Sequence, residues 1–269
     1  MKDIRVGTVM MESYVKETPQ NIQKIHKFVE IASSSDIQIL CFPEMNISGY
    51  CNRDEIIDIA EYIPGPSTEQ LMTFANQYQM TIIAGLPEKD LNGNYYITQL
   101  VVSPFEKPAF YRKLYLGPPE KKVFSPGRNI PLFNRHGVCF GIQLCYDAHF
   151  PELSTQMAHS GVDIIIVPHA SPHGTPEKKA NSWMRHLPAR AYDNSVFVIA
   201  CNASGKNCAG LTFPGVSLGF DPSGNLLKKL NTNHPLINIY DLKSSDLDHV
   251  RGHKMRYFFP NRRKDITFP

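Results

Sequence analysis

The sequence predicts a globular α/β fold, and three observations lead to this class. The 269-residue chain is 42% hydrophobic and 20% charged, unlike a disordered chain. Short apolar runs rich in β-branched residues alternate with stretches of helical character. The apolar runs are almost continuous, as expected for strands that are covered on both faces of a sheet.

The predicted strands share this apolar, β-branched composition. They are residues 4–10, 37–42, 80–86, 95–102, 108–111, 138–144, 162–167, 196–201, 216–220 and 236–240. Gly93 and the Pro-Ser-Gly-Asn sequence at 222–225 mark hairpins, which predicts that part of the sheet system is antiparallel.

The predicted helices lie between these runs. They are residues 18–33, 68–79, 151–159 and 176–193. Pro151 suits the first turn of its helix, because the N–H that proline lacks has no partner at that position in any case.

No internal repeat, low-complexity tract or long linker divides the chain, so we predict one domain over residues 1–269. The longest predicted loops, 117–129 and 169–175, are rich in Pro and Gly, and loops of this length in a compact domain are often functional. The C-terminal segment 242–269 contains an apolar and basic stretch at 257–263 that a monomer would leave partly exposed. We expect this segment to make subunit contacts.

Charge, hydropathy and cysteine content exclude several classes of protein. The net charge of +3 comes without the clustered basic face of a nucleic-acid-binding protein. No apolar stretch reaches the length of a membrane span, and the N-terminus lacks the pattern of a signal peptide. The six cysteines are sparse and include no CxxC pair, which is typical of a reduced protein. We expect a cytoplasmic protein that binds neither nucleic acid nor membrane.

Cys145 is the first candidate for a catalytic residue. It stands in a short turn between the predicted strand 138–144 and the helix that begins at Pro151. Ligands bind at the carboxyl ends of strands in open α/β sheets, and a tight turn there can expose a nucleophile. A free cysteine is more often a small buried hydrophobe, which is what we expect of Cys41, Cys139 and Cys201.

A cysteine nucleophile needs a base and donors that stabilise an oxyanion. None of the ten histidines shows a papain-type context, whereas Glu44 follows the predicted strand 37–42. A carboxylate in a dry pocket has a raised pKa, which suits a general base. Lys113 follows another predicted strand, and near Glu44 it would be a cation facing the developing negative charge. Surface positions for Lys113 and for Glu120 are the alternatives.

Glu44, Lys113, Glu120 and Cys145, in this order and in these local contexts, resemble the nitrilase superfamily of carbon–nitrogen hydrolases. Phe-Pro-Glu matches the family's base, Tyr-Arg-Lys its lysine, and Cys-Tyr-Asp its nucleophile. Glu120 ahead of Phe-Ser-Pro-Gly resembles the second glutamate. Segment 189–205 is similar to the family's helix and following strand, so the resemblance covers nearly the whole chain.

The resemblance implies a four-layer α-β-β-α sandwich and a homo-oligomer, most simply a dimer. It also implies a mechanism without a cofactor, in which Glu44 takes the thiol proton and later activates water. Cys145 attacks an amide-type carbon and forms a thioester. Lys113 and a backbone N–H beside Cys145, such as that of Tyr146, hold the oxyanion. Glu120 orients Lys113 or the substrate, and ammonia or an amine leaves.

The implied substrate is a small linear amide or an N-carbamoyl amine. Branches of the superfamily that bind carboxylated substrates often carry Arg just after the cysteine motif, where this chain has His149. This difference argues against an N-carbamoyl amino acid or an α-keto acid amide, since His149 binds an anion only when protonated. Tyr50, Tyr146, His169 and Trp183 are further candidates for contacting the substrate, although such aromatic residues more often serve packing.

Other hypotheses stay open at this stage. A nitrilase acting on a small nitrile would use the same residues, and a non-catalytic regulatory member of the family would not need to keep them. A Cys–His hydrolase of another fold would use His149 as its base. We expect no metal, because Pro172 places His169 and His173 in a loop without a further ligand at useful spacing.

Overall fold

The computed structural model describes residues 1–263 and is built around two six-stranded sheets. The strands, in chain order, are β1 (Ile4–Met10), β2 (Ile39–Cys41), β3 (Thr81–Lys89), β4 (Tyr95–Val102), β5 (Ala109–Arg112), β6 (Phe133–Arg135), β7 (Val138–Ile142), β8 (Ile164–His169), β9 (Phe197–Asn202), β10 (Gly205–Lys206), β11 (Thr212–Phe213), β12 (Gly215–Phe220), β13 (Leu226–Thr232) and β14 (Leu236–Leu242).

Each sheet combines parallel and antiparallel pairs. The first sheet has the order β14-β1-β2-β3-β4-β5, in which β1, β2 and β3 are parallel. The second has the order β13-β12-β9-β8-β7-β6, in which β7, β8 and β9 are parallel. β10 and β11 form a separate hairpin. The mixed pairing agrees with the prediction that part of the sheet system is antiparallel.

The helices cover the outer faces of the two sheets. They are α1 (Thr18–Ser33), α2 (Pro66–Tyr78), α3 (Pro151–His159), α4 (Pro176–Trp183), α5 (Leu187–Asn194) and α6 (Ser244–Arg251). One apolar cluster joins α1 and α2 to the first sheet. A larger cluster fills the space between the sheets and continues under α3, α4 and α5. The predicted four-layer α-β-β-α sandwich is confirmed.

The predicted helix 176–193 is wrong, because two helices occupy it. α4 ends at Trp183 and α5 begins at Leu187, with Pro188 in its first turn. Proline suits this start but does not suit the interior of a continuous helix, where its missing N–H breaks a hydrogen bond.

Several short or exposed elements were not predicted. β13 is an edge strand in which two leucines are followed by Lys228 and Lys229, so it lacks a continuous apolar run. β6, β10 and β11 have only two or three residues each. α6 occupies part of the C-terminal segment 242–269, and its Arg251 donates to Val162 O (2.8 Å) and Asp163 Oδ1 (3.1 Å). This helix therefore packs on its own chain, and subunit contacts of the segment stay a prediction. Residues 264–269 lie outside the described part.

Within residues 1–263 no helix combines the length and the apolar character needed to cross a bilayer. All six cysteines are free thiols. Cys41 and Cys201 are buried as predicted, whereas Cys139 is only half-buried, since it lies on β7 next to the edge strand of its sheet.

Candidate active site

Glu44 lies in a buried turn after β2, and the turn is bound to β3. Ile47 N–H donates to Gly85 O (2.9 Å), and Gly85 N–H donates to Asn46 Oδ1 (2.8 Å). A Cβ at Gly85 would lie 2.6 Å from the Met45 nitrogen, so this close approach requires glycine. The turn fixes Glu44 with only 1% of its surface exposed.

Lys113 directly follows β5 and is also 1% exposed, so the surface position is excluded. Its backbone oxygen accepts from Gly127 N–H (2.8 Å), and a Cβ at Gly127 would lie 2.5 Å from Arg112 O. The Lys113 ammonium donates to Glu44 Oε1 (2.7 Å) and to Glu120 Oε1 (2.7 Å). One buried cation thus joins two carboxylates.

Glu120 is 3% exposed and begins a 3₁₀ turn, so a surface salt bridge is excluded for it as well. Its Oε1 accepts from Lys113 and from the Tyr50 hydroxyl (2.8 Å), and its Oε2 accepts from Gly117 N–H (2.7 Å). Glu44 Oε2 accepts from the backbone N–H of Ala170 (3.0 Å), which follows β8 in the second sheet. We name Glu44, Lys113 and Glu120 the charge cluster.

Cys145 begins a 3₁₀ turn, Cys145–His149, between β7 and α3, and its side chain is partly accessible. Its φ of 45° lies in the left-handed region, which is strained for a residue other than glycine and is often found at functional sites. Among residues 1–263 the backbone N–H of Tyr146 has no protein acceptor, as is usual for the first N–H groups of a helical turn. A thiol and an unpaired donor therefore stand side by side.

Asp147 connects this turn to the segment that carries Lys113, a role that no sequence pattern indicated. Asp147 Oδ2 accepts from Leu144 N–H (2.8 Å) and from the Tyr111 hydroxyl (2.7 Å). Asp147 Oδ1 accepts from Tyr115 N–H (2.7 Å). The buried carboxylate thus holds the nucleophile turn of one sheet against the end of β5 in the other.

Burial and charge shift the pKa values of these groups together. Burial raises the pKa of Glu44 to about 7, against the opposing effect of the Lys113 cation. Burial lowers the pKa of Lys113, but the two carboxylates outweigh it and the net direction is upward. Burial and the Glu44 charge raise the pKa of the Cys145 thiol, while Lys113 opposes them. The resting site therefore holds a neutral thiol within the electrostatic field of a base that titrates near neutrality.

The Asp147 carboxyl is also affected by its surroundings. Burial raises the pKa of Asp147 to about 6, against the Lys113 cation and three donated hydrogen bonds. Burial therefore raises the pKa values of two carboxyl groups in this site, those of Glu44 and Asp147.

The predicted substrate contacts lie in different surroundings. The Tyr50 hydroxyl is committed to Glu120, and its ring meets Phe213 edge-on with centroids 6.3 Å apart. The Tyr146 side chain lines a surface pocket of about 400 Å³. His169 and Trp183 are buried and stacked on each other with centroids 4.0 Å apart. A role in substrate binding stays a prediction for all four.

A role of His149 in substrate binding stays a prediction as well. The residue as a whole is exposed, and desolvation of its ring together with the neighbouring Arg190 cation lowers its pKa. Within residues 1–263 no group of three or more His, Cys, Asp or Glu side chains is arranged to hold a metal ion.

Comparisons with known proteins agree with this geometry. The family model described as carbon–nitrogen hydrolase matches residues 5–251. An (R)-stereoselective amidase of a Pseudomonas species is 28% identical over 263 residues, which cover 97% of this chain and 92% of the amidase. A nitrilase of Pyrococcus abyssi is 29% identical over 273 residues, which cover 98% of this chain and 99% of the nitrilase.

A solved structure supports the fold. The crystal structure of a carbon–nitrogen hydrolase superfamily protein from Xanthomonas campestris matches with a TM-score of 0.88 at 21% identity and covers 100% of both chains. The resemblance predicted from four short motifs is confirmed by the family model, which covers nearly the whole chain.

Proposed function

We propose that this chain, which belongs to the carbon–nitrogen hydrolase family, cleaves a small linear amide or N-carbamoyl amine through a thioester on Cys145. The family assignment establishes hydrolysis of non-peptide carbon–nitrogen bonds, and the proposal adds the substrate class and the residues. One observation carries it: the buried charge cluster shares its electrostatic field with a partly accessible thiol in a left-handed turn.

In the first half-reaction Glu44 accepts the thiol proton while the sulfur of Cys145 attacks the carbonyl carbon. The carbonyl oxygen becomes an oxyanion, which the Lys113 ammonium and the Tyr146 N–H stabilise. The tetrahedral intermediate collapses, the carbon–nitrogen bond breaks, and Glu44 returns the proton to the leaving nitrogen. Ammonia or an amine departs and leaves a thioester.

In the second half-reaction Glu44 takes a proton from water, whose oxygen adds to the thioester carbon. The carbon–sulfur bond then breaks, and the departing thiolate recovers its proton from Glu44. The products are a carboxylic acid, or a carbamic acid from a carbamoyl substrate, and the resting thiol. A base with a pKa of about 7 suits both directions of proton transfer at neutral pH.

Glu120 and Asp147 act as positioning residues in this scheme. Glu120 shares the Lys113 ammonium with Glu44 and is itself fixed by Tyr50 and Gly117. Asp147 fixes the backbone at Leu144, which precedes Cys145, and at Tyr115 near Lys113. A non-catalytic member of the family would have no need to keep this arrangement.

The experiment is a panel of linear amides, N-carbamoyl amines and nitriles, scored by ammonia release and by mass spectrometry of the trapped enzyme. We expect ammonia from amides or carbamoyl amines and an acyl adduct confined to the peptide that contains Cys145. Cys139→Ala is the matched control, because it removes a partly buried thiol of the same sheet. Turnover of nitriles alone would replace the proposal by a nitrilase. No turnover and no reaction of Cys145 with iodoacetamide would support a non-catalytic role.

We also propose a homodimer as the simplest assembly, supported by the exposed apolar side chains of Met255 and Phe258 near the C-terminus. Sedimentation at micromolar concentration tests this. A monomer under those conditions would contradict it.

A further inference from the structure

Lys179 on α4 is bound to the loop whose Ala170 also contacts the general base Glu44. It donates to Ser171 Oγ (2.7 Å) and to Pro172 O (3.0 Å), both in the loop that follows β8. The side chain is partly buried. Within residues 1–263 no carboxylate lies within ion-pair distance of it.

The loop that holds Lys179 is itself firmly fixed. Ser171 N–H donates to Asn202 Oδ1 (2.8 Å), and Asn202 Nδ2 donates to Ser171 O (3.0 Å) and to Pro214 O (2.8 Å). Ala170, the preceding residue, binds Glu44. The position of the Lys179 ammonium is therefore set relative to the general base.

The positive charge of Lys179 acts on the Cys145 thiol, and no carboxylate within residues 1–263 neutralises this charge. Lys113 and, more weakly, Lys179 oppose the upward shift in the pKa of Cys145. The charge of Lys113 is taken up by two carboxylates, whereas the partners of Lys179 are a hydroxyl and a carbonyl. An ammonium group has three N–H donors, so one donor of Lys179 has no protein acceptor among the described residues. A partly buried cation without an anion is costly, which points to a ligand that supplies the missing charge.

We propose that Lys179 binds a carboxylate at the far end of the substrate. This deepens the proposed function and rests on it: the substrate class becomes a short amide or carbamoyl compound that carries a carboxylate. In branches of the superfamily that bind carboxylated substrates a cation often follows the cysteine motif, and the presence of His149 at that place in this chain argued against such a substrate. The structure offers that cation on a different element, α4.

The test compares the half-amides of malonic, succinic and glutaric acid with neutral amides of the same lengths, such as 4-methylpentanamide for succinamate. Its isopropyl end has the shape of a carboxylate without the charge. We expect the wild type to prefer at least one half-amide. A lost charge-assisted hydrogen bond typically changes affinity by about ten- to a hundredfold, so Lys179→Met should lower the half-amide to neutral-amide ratio of kcat/KM by that factor. Lys179→Arg should retain most of the preference.

Lys178→Met is the matched control, because Lys178 is an exposed neighbour on the same helix, and its ratio should equal the wild-type ratio. If Lys179 only fixes the loop, Lys179→Met lowers kcat/KM for both substrates together and the ratio stays constant, which overturns the proposal. An unchanged ratio in an otherwise active variant overturns it as well.

A binding measurement separates this inference from the proposed function. Succinate, the product of succinamate hydrolysis, is titrated calorimetrically into Cys145→Ala and into the double variant Cys145→Ala/Lys179→Met. We expect binding to the first and at least about tenfold weaker binding to the second. Equal affinity, or no binding of succinate, malonate or glutarate to either, overturns the carboxylate site. Absence of turnover on every amide, with this binding intact, overturns the proposed function alone.

Discussion

The two halves of the candidate site are built in opposite ways. The first sheet contributes a closed charge cluster, in which Glu44 and Lys113 are each 1% exposed and every charge has a partner. The second sheet contributes an open turn, in which Cys145 is partly accessible, its backbone is left-handed and the Tyr146 N–H has no protein acceptor. In the first half every charged group has a partner, whereas in the second half the thiol and the Tyr146 N–H are free to contact a substrate.

This difference predicts how each half responds to substitution. Removing one member of a buried ion cluster leaves an uncompensated charge and typically costs about 3–5 kcal/mol of stability. Truncating a neutral thiol leaves no charge behind. Substitutions in the charge cluster should therefore reduce both activity and stability. Substitution of Cys145 should reduce activity but not stability.

Cys145→Ala should have the largest effect on activity and little effect on stability. Without the nucleophile no thioester forms, so turnover should fall below detection. The free energy of unfolding, measured with urea, should change by no more than about 1 kcal/mol, since alanine fills most of the volume of cysteine. Activity above a trace on the best substrate would rule out Cys145 as the nucleophile.

Lys113→Met should reduce both properties. We expect a loss of about a hundredfold or more in rate, because one removed electrostatic element typically costs that much. Stability at pH 8 should fall by about 3–5 kcal/mol, because Glu44 and Glu120 lose their shared cation. Loss of the cation that opposes the effect of burial raises the folded-state pKa of Glu44 further, so the folded protein binds more protons than the unfolded chain and stability should recover as the pH falls. Urea denaturation at pH 5.5 and pH 8 measures this, and a pH-independent loss would contradict it.

Glu44→Gln should remove the rise of kcat/KM with pH that the wild-type enzyme shows on the acid side of its pH profile. The wild-type kcat/KM should rise with pH through about 7, where the raised pKa of Glu44 places its ionisation. The variant should be slower by about a hundredfold or more and should lack this limb. Combined with Lys113→Met the losses should not multiply, because groups that act as a unit are not additive. A variant that keeps the limb would show that another group is the base.

Asp147→Asn should have the smallest effect of the four on rate. The amide cannot accept all three hydrogen bonds in the same way, so we expect a loss of about 1.5–3 kcal/mol in stability, the scale of hydrogen bonds to a charged group. The rate should fall by about tenfold as the nucleophile turn loosens. The acid limb near pH 7 should persist, because it belongs to Glu44 rather than to Asp147. Its disappearance in a pH–rate profile would reassign the limb to Asp147.

The sequence was sufficient to predict those site residues whose position depends on a single predicted strand. Glu44, Lys113 and Cys145 each come after an apolar run, and the carboxyl ends of strands are where sites form in α/β sheets. Asp147 and Lys179 could not be found this way, because their surroundings depend on which elements pack together. The position of Asp147 beside Tyr111 requires that both sheets are already placed. The break between α4 and α5 likewise depends on packing as well as on Pro188.

The hydrogen bonds of Glu44 carry a consequence for the newly made protein. Its two carboxylate oxygens are held by Lys113 and Ala170, which are 69 and 126 residues away along the chain. Contacts between such distant segments form only after large loops close, which makes them late events in folding. An incomplete or partly unfolded chain therefore carries an ordinary thiol without a base beside it. The proposed thioester can therefore form on Cys145 only after both sheets have come together.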